Sequence, residues 1–144
     1  MVTKEILSLC HAESQMKHHP ALAGFFIAGY YTDPTWDQII HKKWRFVHSV
    51  GTLDASVVSP REVFKSCILS NSAAFIAIHN HPSGSITPSL EDKDVTKRLL
   101  SCSELLGVKM LDHIIIGGET GDMYSFKSDG LLDQLRPVRA VWER

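Results

Sequence analysis

An α/β or α+β sandwich built on a mixed β-sheet is the fold that this sequence predicts, and two observations predict it. Short apolar runs typical of strands alternate along the chain with longer segments whose apolar residues recur at helical spacing. At 144 residues, of which 44% are hydrophobic and 22% charged, the chain has the size of one compact domain. Such alternation is typical of helices packed against a sheet, so we expect one shared core.

The first part of the chain predicts one helix and two strands. Apolar residues at near-helical spacing indicate a helix over residues 3–18. Aromatic and β-branched residues over 24–32 indicate a strand, which Asp33 and Pro34 close with a turn. A second strand is predicted over residues 44–49. Together these elements supply two strands of the expected sheet.

A second helix has a clear start signal at Ser59. Ser59 can cap the helix, Pro60 suits its first position, and Glu62 can complete a capping box. The side chains expected to form its buried stripe are Val63, Phe64, Cys67 and Ile68.

The middle of the chain predicts a buried strand, a turn and a helix. Residues 73–78 form an apolar run too short for a typical helix, which suits a strand covered on both faces and leading into His79. Two prolines and a glycine over 80–88 indicate an ordered turn or loop. A helix is then predicted from Ser89 to Gly107, where the glycine ends it. Its apolar residues are Val95, Leu99, Leu100, Cys102 and Leu106. Strands over 113–117 and 123–126 complete the sheet.

Composition argues against several classes of protein. A formal net charge of −1 gives no basic face for nucleic acid. Cys10, Cys67 and Cys102 lie far apart without a C-x-x-C pair, which argues against a disulfide framework or a cysteine zinc knuckle and fits a reducing cytoplasm. Each is interpreted as a small buried hydrophobe. No run suits a signal peptide or a membrane span, so we expect a cytoplasmic protein without a membrane partner.

Three potential metal ligands follow the buried strand. Residues two apart at a strand end project from the same face, so His79 and His81 can point their imidazoles at one ion. A turn then leads to the helix that begins at Ser89, whose first turn holds Asp92. Two histidines, one carboxylate and water form a recognised catalytic zinc set with an open position.

Each half of this pattern also has an ordinary explanation. Paired histidines occur on surface strands without metal, and Ser89-x-x-Asp92 matches a capping box at a helix start. The combination of a buried strand, H-x-H-P, a turn and S-x-x-D favours the metal site. His113, which precedes another buried strand, is either a satisfied structural histidine or a hydrogen-bond partner of a ligand.

These residues resemble a known family. The string HNHPSG from His79 to Gly84, followed by Ser89 and Asp92, is similar to the H-x-H-x(7)-S-x-x-D signature of JAMM (JAB/MPN) metallopeptidases, in the form found in RadC-like proteins. The resemblance covers residues 24–132 and implies a JAMM/cytidine-deaminase-like sandwich there. An N-terminal helical segment, 1–23, and a C-terminal tail, 133–144, would flank it. The helix-hairpin-helix region of full-length RadC proteins is expected to be absent.

The resemblance also implies residue roles. His79, His81 and Asp92 would hold Zn2+, and Ser89 would be catalytic, steadying the oxyanion formed when zinc-activated water attacks a peptide or isopeptide amide. The expected partner is a protein or peptide substrate. The Arg-rich tail with Trp142 can pack on a partner subunit, which leaves a homodimer open, or stay solvated.

One departure from the family pattern concerns the general base. JAMM enzymes place a glutamate before or within the first strand, whereas no glutamate occurs here between Glu13 and Glu62, and residues 21–23 are apolar. Glu13, Asp33 and Asp37 are the alternatives.

Two functions therefore compete. The first is a zinc-dependent metallopeptidase-like hydrolase. The second is a catalytically silent zinc-binding or scaffold domain, which the departure favours. A DNA-repair-associated role comes third, because the charge does not support DNA binding.

Overall fold

The computed structural model describes residues 25–32, 40–45, 58–117 and 122–137. Within them lie the strands β1 (Phe25–Thr32), β2 (Ile40–Arg45), β3 (Ala74–His81), β4 (Lys109–Gly117) and β5 (Met123–Ser125). The helices are α1 (Pro60–Leu69), α2 (Leu90–Leu106) and α3 (Leu131–Gln134). The helix predicted over residues 3–18, Cys10 and residues 138–144 of the predicted tail lie outside the described residues. In the described part of the chain, no helix is long and apolar enough to cross a bilayer.

The strands form one mixed sheet in the order β2-β1-β3-β4-β5. β1 pairs antiparallel with β2 and β3, β3 pairs parallel with β4, and β4 pairs antiparallel with β5. Parallel neighbours need a long crossover connection, and α2 provides it between β3 and β4. α2 also contacts α1. The predicted α+β fold with a mixed sheet is therefore confirmed.

The hydrophobic core lies on the same face of β3 as the two predicted metal-binding histidines. Phe75 and Ala77 are fully buried in this core. Because alternate residues of a strand share a face, His79 and His81 follow them on the same side. The other core side chains include Val63, Phe64, Cys67, Leu99, Leu100, Met110, Ile115, Phe126 and Leu132. The apolar core thus continues into two histidines at the C-terminal end of β3.

A β-bulge in β4 brings His113 to this face. The register of β3 against β4 shifts between Phe75 and Ile76, where β4 contributes one extra residue, Leu111. A shift by one residue exchanges the two faces of a strand. His113 therefore lies beside Ala77 on the core side, and it is fully buried.

Cysteines 67 and 102 are free, as the sequence predicts. Cys67 lies in the core and Cys102 packs against it, partly buried. Burial raises the pKa of the Cys67 thiol to about 11, which suits a structural side chain rather than a nucleophile.

α1 begins where the sequence predicts, but its predicted capping box does not form. Ser59 precedes the helix and Pro60 opens it, yet the Ser59 side chain makes no capping hydrogen bond. The backbone N–H of Glu62 donates instead to the Ser59 carbonyl at 3.0 Å, and the Glu62 carboxylate lies 3.8 Å from the Lys65 ammonium. The predicted box is wrong because this tight first turn uses the N–H group that the box requires.

In α1 and α2, the apolar residues of the last helical turn are not all buried in the core. In α1, Ile68 is 58% exposed, and in α2, Leu106 is 49% exposed. The predicted burial of Ile68 is wrong, because this residue lies in the last turn of its helix, where the chain bends toward the next strand, and Leu106 occupies the corresponding place in α2. Val95 is only partly buried, as is Cys102. The side chains that α2 does bury are Thr96, Leu99, Leu100 and Ser103.

β2 begins earlier than predicted, at Ile40 rather than Trp44, and residues 46–49 of the predicted strand lie outside the described residues. Its position follows from antiparallel pairing with β1, in which Arg45 lies opposite Ile27. Polar and charged residues such as Lys42 are compatible with a strand at the edge of a sheet.

Gly107 ends α2 as predicted, and its replacement by alanine should carry a backbone cost. Gly107 has a φ of 67°, and an added Cβ would meet nothing within 4 Å. We expect Gly107→Ala to lower the free energy of unfolding by about 1 kcal/mol, because only the left-handed backbone is penalised. Urea unfolding measures this change. Ser101→Ala on the exposed face of α2 is the control, and equal stabilities of the two variants would contradict the prediction.

Candidate metal centre

His79, His81 and Asp92 converge at the C-terminal end of β3. The Nε2 atoms of the two histidines lie 2.9 Å apart. Asp92 Oδ1 lies 3.1 Å from His79 Nε2, and Asp92 Oδ2 lies 3.3 Å from His81 Nε2. The three side chains predicted as ligands thus form a group that could hold a metal ion.

The spacing of these atoms suits a small divalent ion. Zinc bonds of about 2.0–2.2 Å in tetrahedral geometry place neighbouring ligand atoms about 3.3 Å apart. The three observed separations, from 2.9 to 3.3 Å, lie close to that value. The side chains of His79, His81 and Asp92 are 10%, 19% and 13% exposed, so the group is accessible from outside.

The loop after β3 orients the ring of His81. His81 Nδ1 lies 2.7 Å from the Ser85 carbonyl oxygen, which can only accept a hydrogen bond. Nδ1 therefore carries the hydrogen, and in the neutral ring the lone pair resides on Nε2, the atom that faces Asp92. The turn that brings Ser85 back includes Gly84, with a φ of 81° and its N–H bonded to the His81 carbonyl.

The helix cap of α2 orients Asp92. Ser89 Oγ accepts the Asp92 N–H at 3.1 Å, and Asp92 Oδ2 accepts the Ser89 N–H at 2.7 Å, which completes a capping box. The same carboxylate directs Oδ1 at His79. The capping and metal-binding interpretations of this segment are therefore compatible, because one carboxylate serves both.

The charges in this group stabilise one another. Burial alone would raise the pKa of Asp92, but in the metal-free protein hydrogen bonds from the protonated rings of His79 and His81 hold it well below its usual range. The Asp92 carboxylate raises the pKa of His81, although burial partly opposes this effect. Asp92 is therefore a carboxylate at neutral pH, as a metal ligand must be.

A second row of buried side chains lies behind His79. His113 Nε2 is 2.9 Å from His79 Nδ1, and His113 Nδ1 is 2.7 Å from Thr96 Oγ1. Thr96 Oγ1 also lies 2.6 Å from the backbone carbonyl oxygen of Asp92. Complete burial, reinforced by the neighbouring His79, holds the pKa of His113 well below its ordinary value. His113 is therefore a buried histidine with both ring nitrogens hydrogen-bonded, and one of its partners is His79, a predicted ligand.

Asp112 anchors this second row to the far edge of the sheet. Its Oδ1 accepts the N–H groups of His113 at 2.7 Å and Lys127 at 2.9 Å, and its Oδ2 accepts the Ser125 hydroxyl at 2.6 Å. The turn held in this way brings the ring of Phe126 against His113, with centroids 4.8 Å apart and planes inclined by 19°.

The sequence interpretation missed Thr96. A threonine in a helix usually counts as polar and exposed, and an apolar stripe does not include it. The available signal was the spacing 96, 99, 100 and 103, which defines one helix face. Of the proposed substitutes for the general base, Glu13, Asp33 and Asp37 lie outside the described residues.

A family model for the RadC-like JAB domain matches residues 36–131, two thirds of the chain, and the match includes every residue of this centre. The chain belongs to the RadC-like JAB domain family. The resemblance found in the sequence is thus confirmed.

Curated relatives of this RadC-like JAB domain carry only a family name. The UPF0758 protein YsxA of Bacillus subtilis (strain 168) is 47% identical over 98 residues, 68% of this chain and 40% of that protein. The UPF0758 protein GWCH70_2550 of Geobacillus sp. (strain WCH70) is 53% identical over 85 residues, 59% of this chain and 36% of that protein. The chain therefore spans less than half the length of these relatives.

Proposed function

We propose that this RadC-like JAB domain binds one zinc ion through His79, His81 and Asp92 and hydrolyses peptide or isopeptide amides. The convergence of two imidazole nitrogens and a carboxylate within 3.3 Å of one another carries the proposal. Two neutral nitrogens and one carboxylate match the preference of zinc for nitrogen and oxygen ligands and leave a fourth position for chemistry.

Zinc in this position would lower the pKa of a coordinated water and polarise an amide carbonyl. The residues of the chain supply the rest of the arrangement. Asp92 is fixed by the cap of α2, and His81 is fixed by the Ser85 carbonyl. The cap uses Ser89 Oγ only as an acceptor, so its hydroxyl hydrogen is not needed there. Ser89 is therefore the proposed donor to the oxyanion that forms on the substrate.

A second candidate is a zinc-binding domain without turnover. The absence of glutamate between residues 13 and 62 favours it, because a missing general base costs a factor of about 100 to 10,000 in rate. Both candidate functions require zinc binding, but only the first predicts cleavage of a substrate.

We expect the protein, purified without added metal or chelator, to contain about one zinc per chain by elemental analysis. A pool of degenerate peptides and lysine-branched isopeptides should be cleaved, as judged by mass spectrometry, and chelation should stop the cleavage. Ser89→Gly should keep the zinc and reduce cleavage about 100-fold or more, because it removes the oxyanion donor. Glycine is tolerated as a helix cap, so α2 should stay intact.

Each outcome of this experiment selects one interpretation. Zinc without chelator-sensitive cleavage would support the silent domain. Folded protein that takes up no zinc, even when zinc is supplied, would overturn both candidates. Cleavage that Ser89→Gly leaves unchanged would contradict the role of Ser89 alone.

A further inference from the structure

The donor and the acceptor of each hydrogen bond behind His79 can be assigned, starting from Thr96. The Asp92 carbonyl oxygen, 2.6 Å from Thr96 Oγ1, has no hydrogen to give, so the Thr96 hydroxyl donates to it. A hydroxyl has only one hydrogen. The Thr96 hydroxyl must therefore accept the hydrogen bond that joins it to His113 Nδ1 at 2.7 Å. His113 consequently carries its hydrogen on Nδ1.

The same reasoning passes through His113 to His79. His113 is 0% exposed, and its ring lies against the face of Phe126, a setting that favours the neutral imidazole. With its hydrogen on Nδ1, the neutral ring has a lone pair on Nε2 and accepts a hydrogen bond there. His79 Nδ1, at 2.9 Å, is the donor. In the neutral ring that metal binding requires, the lone pair of His79 therefore resides on Nε2, the atom that faces His81 and Asp92.

We propose that Thr96 and His113 are positioning residues that hold His79 in the Nδ1–H form and so present its Nε2 lone pair to the metal. This inference rests on the proposed zinc site. It gives His79 the same arrangement that the Ser85 carbonyl gives His81. The chain of hydrogen bonds begins at the backbone of Asp92 and ends at the ring that faces the Asp92 carboxylate. The helix residue that supplies one ligand thus also sets the tautomer of another.

The test compares Thr96→Val with Thr96→Ser. Valine keeps the volume of threonine and removes the acceptor of the His113 Nδ1–H, so His113 should shift its hydrogen to Nε2 and donate to His79. We expect zinc affinity, measured by competition with a zinc indicator, to fall about 10- to 100-fold in Thr96→Val. Thr96→Ser should bind zinc nearly as tightly as wild type. Ser103→Ala removes another buried hydroxyl from the same face of α2, two turns away, and should leave zinc affinity unchanged.

A direct reading of the tautomers completes the test. In metal-free wild-type protein, two-bond 15N–1H correlation spectra of the imidazoles should show Nδ1–H and bare Nε2 for His113, and Nδ1–H for His79. In Thr96→Val, His113 should carry its hydrogen on Nε2, and His79 Nδ1 should be bare. The wild-type spectra do not depend on zinc and test the two tautomers even if Thr96→Val does not fold.

The outcomes separate this inference from the function on which it rests. Equal zinc affinity of Thr96→Val and wild type, or a bare Nδ1 at His79 in the wild-type spectra, would overturn the positioning role and leave the zinc site standing. Wild-type protein that shows the expected tautomers but takes up no zinc would overturn the proposed function, and the positioning role with it.

Discussion

Asp92→Asn is expected to weaken zinc binding by more than about 100-fold without unfolding the domain. Loss of a hydrogen-bond partner behind a ligand already costs about 10- to 100-fold, and here the anionic ligand itself is lost. The amide oxygen of asparagine can still accept the Ser89 N–H, so the cap of α2 should survive. Competition titration with a zinc indicator measures the affinity, and circular dichroism follows the helix content.

Asp94→Asn is the matched control for this variant. Asp94 lies on the same helix, its side chain is 71% exposed, and its carboxylate is 3.9 Å from the Lys97 ammonium. The Asp94→Asn variant should bind zinc like wild type, because an exposed ion pair contributes little to stability and this one is not part of the proposed metal site. If Asp92→Asn and Asp94→Asn bound zinc equally well, the carboxylate would not be a ligand, and Asp92 would serve only the helix cap.

The part of the centre that could be predicted from sequence depends on local geometry. His79 and His81 share a face because they are two residues apart on a strand, and Asp92 lies in the first turn of the helix that follows. These relations hold over 14 consecutive residues, from 79 to 92, and need no knowledge of the rest of the fold. The three ligand candidates could therefore be named before their distances were known.

The second row could not be predicted in the same way, because it depends on the register between strands. His113 faces His79 only because β4 carries one extra residue at Leu111. A register one residue different would have turned His113 to the other face of the sheet. No local pattern in the sequence indicates that bulge, so ordinary burial patterns favoured a structural histidine at His113, and contact with His79 was the alternative.

The errors in the fold prediction have a similar origin. Apolar periodicity predicts which side of a helix faces the core, and Phe64 and Leu99 are buried as expected. It does not predict how far along the helix the contact with the core extends, so Ile68 was wrongly expected to be buried. A hydroxyl that donates to a backbone carbonyl, such as that of Thr96, can be buried at little cost in free energy. Apolar periodicity does not identify such buried polar residues.

Phe126→Ala is expected to cause the largest loss of stability among the substitutions considered. The ring is 0% exposed, stacks on His113, and meets Tyr124 edge-on with centroids 5.4 Å apart. Backbone hydrogen bonds to His113 and Leu132 hold the main chain in place, so the structure can collapse only partly around the missing ring. The free energy of unfolding, measured in urea, should fall by about 3–5 kcal/mol.

Two controls separate the lost ring from general effects of substitution. Phe126→Leu keeps most of the apolar volume and should cost clearly less than alanine, since cavity size governs the penalty. Leu105→Ala removes a side chain that is 72% exposed and should change stability by no more than about 0.5 kcal/mol. A loss at Phe126 as small as that at Leu105 would mean that the turn after β5 does not pack on the core as described.

Phe126 also offers a way to separate stability from metal affinity. Its ring stacks on His113, which in turn hydrogen-bonds to His79, a ligand of the proposed zinc site. Phe126→Leu should therefore lower the free energy of unfolding more than Thr96→Ser does. Thr96→Val, in turn, should lower zinc affinity more than Phe126→Leu does. If both properties declined in the same proportion across these variants, zinc affinity would follow the general stability of the domain. Independent changes would instead attribute zinc affinity to the hydrogen bonds behind His79, in which the proposed role of Thr96 lies, whereas Phe126 mainly fills space.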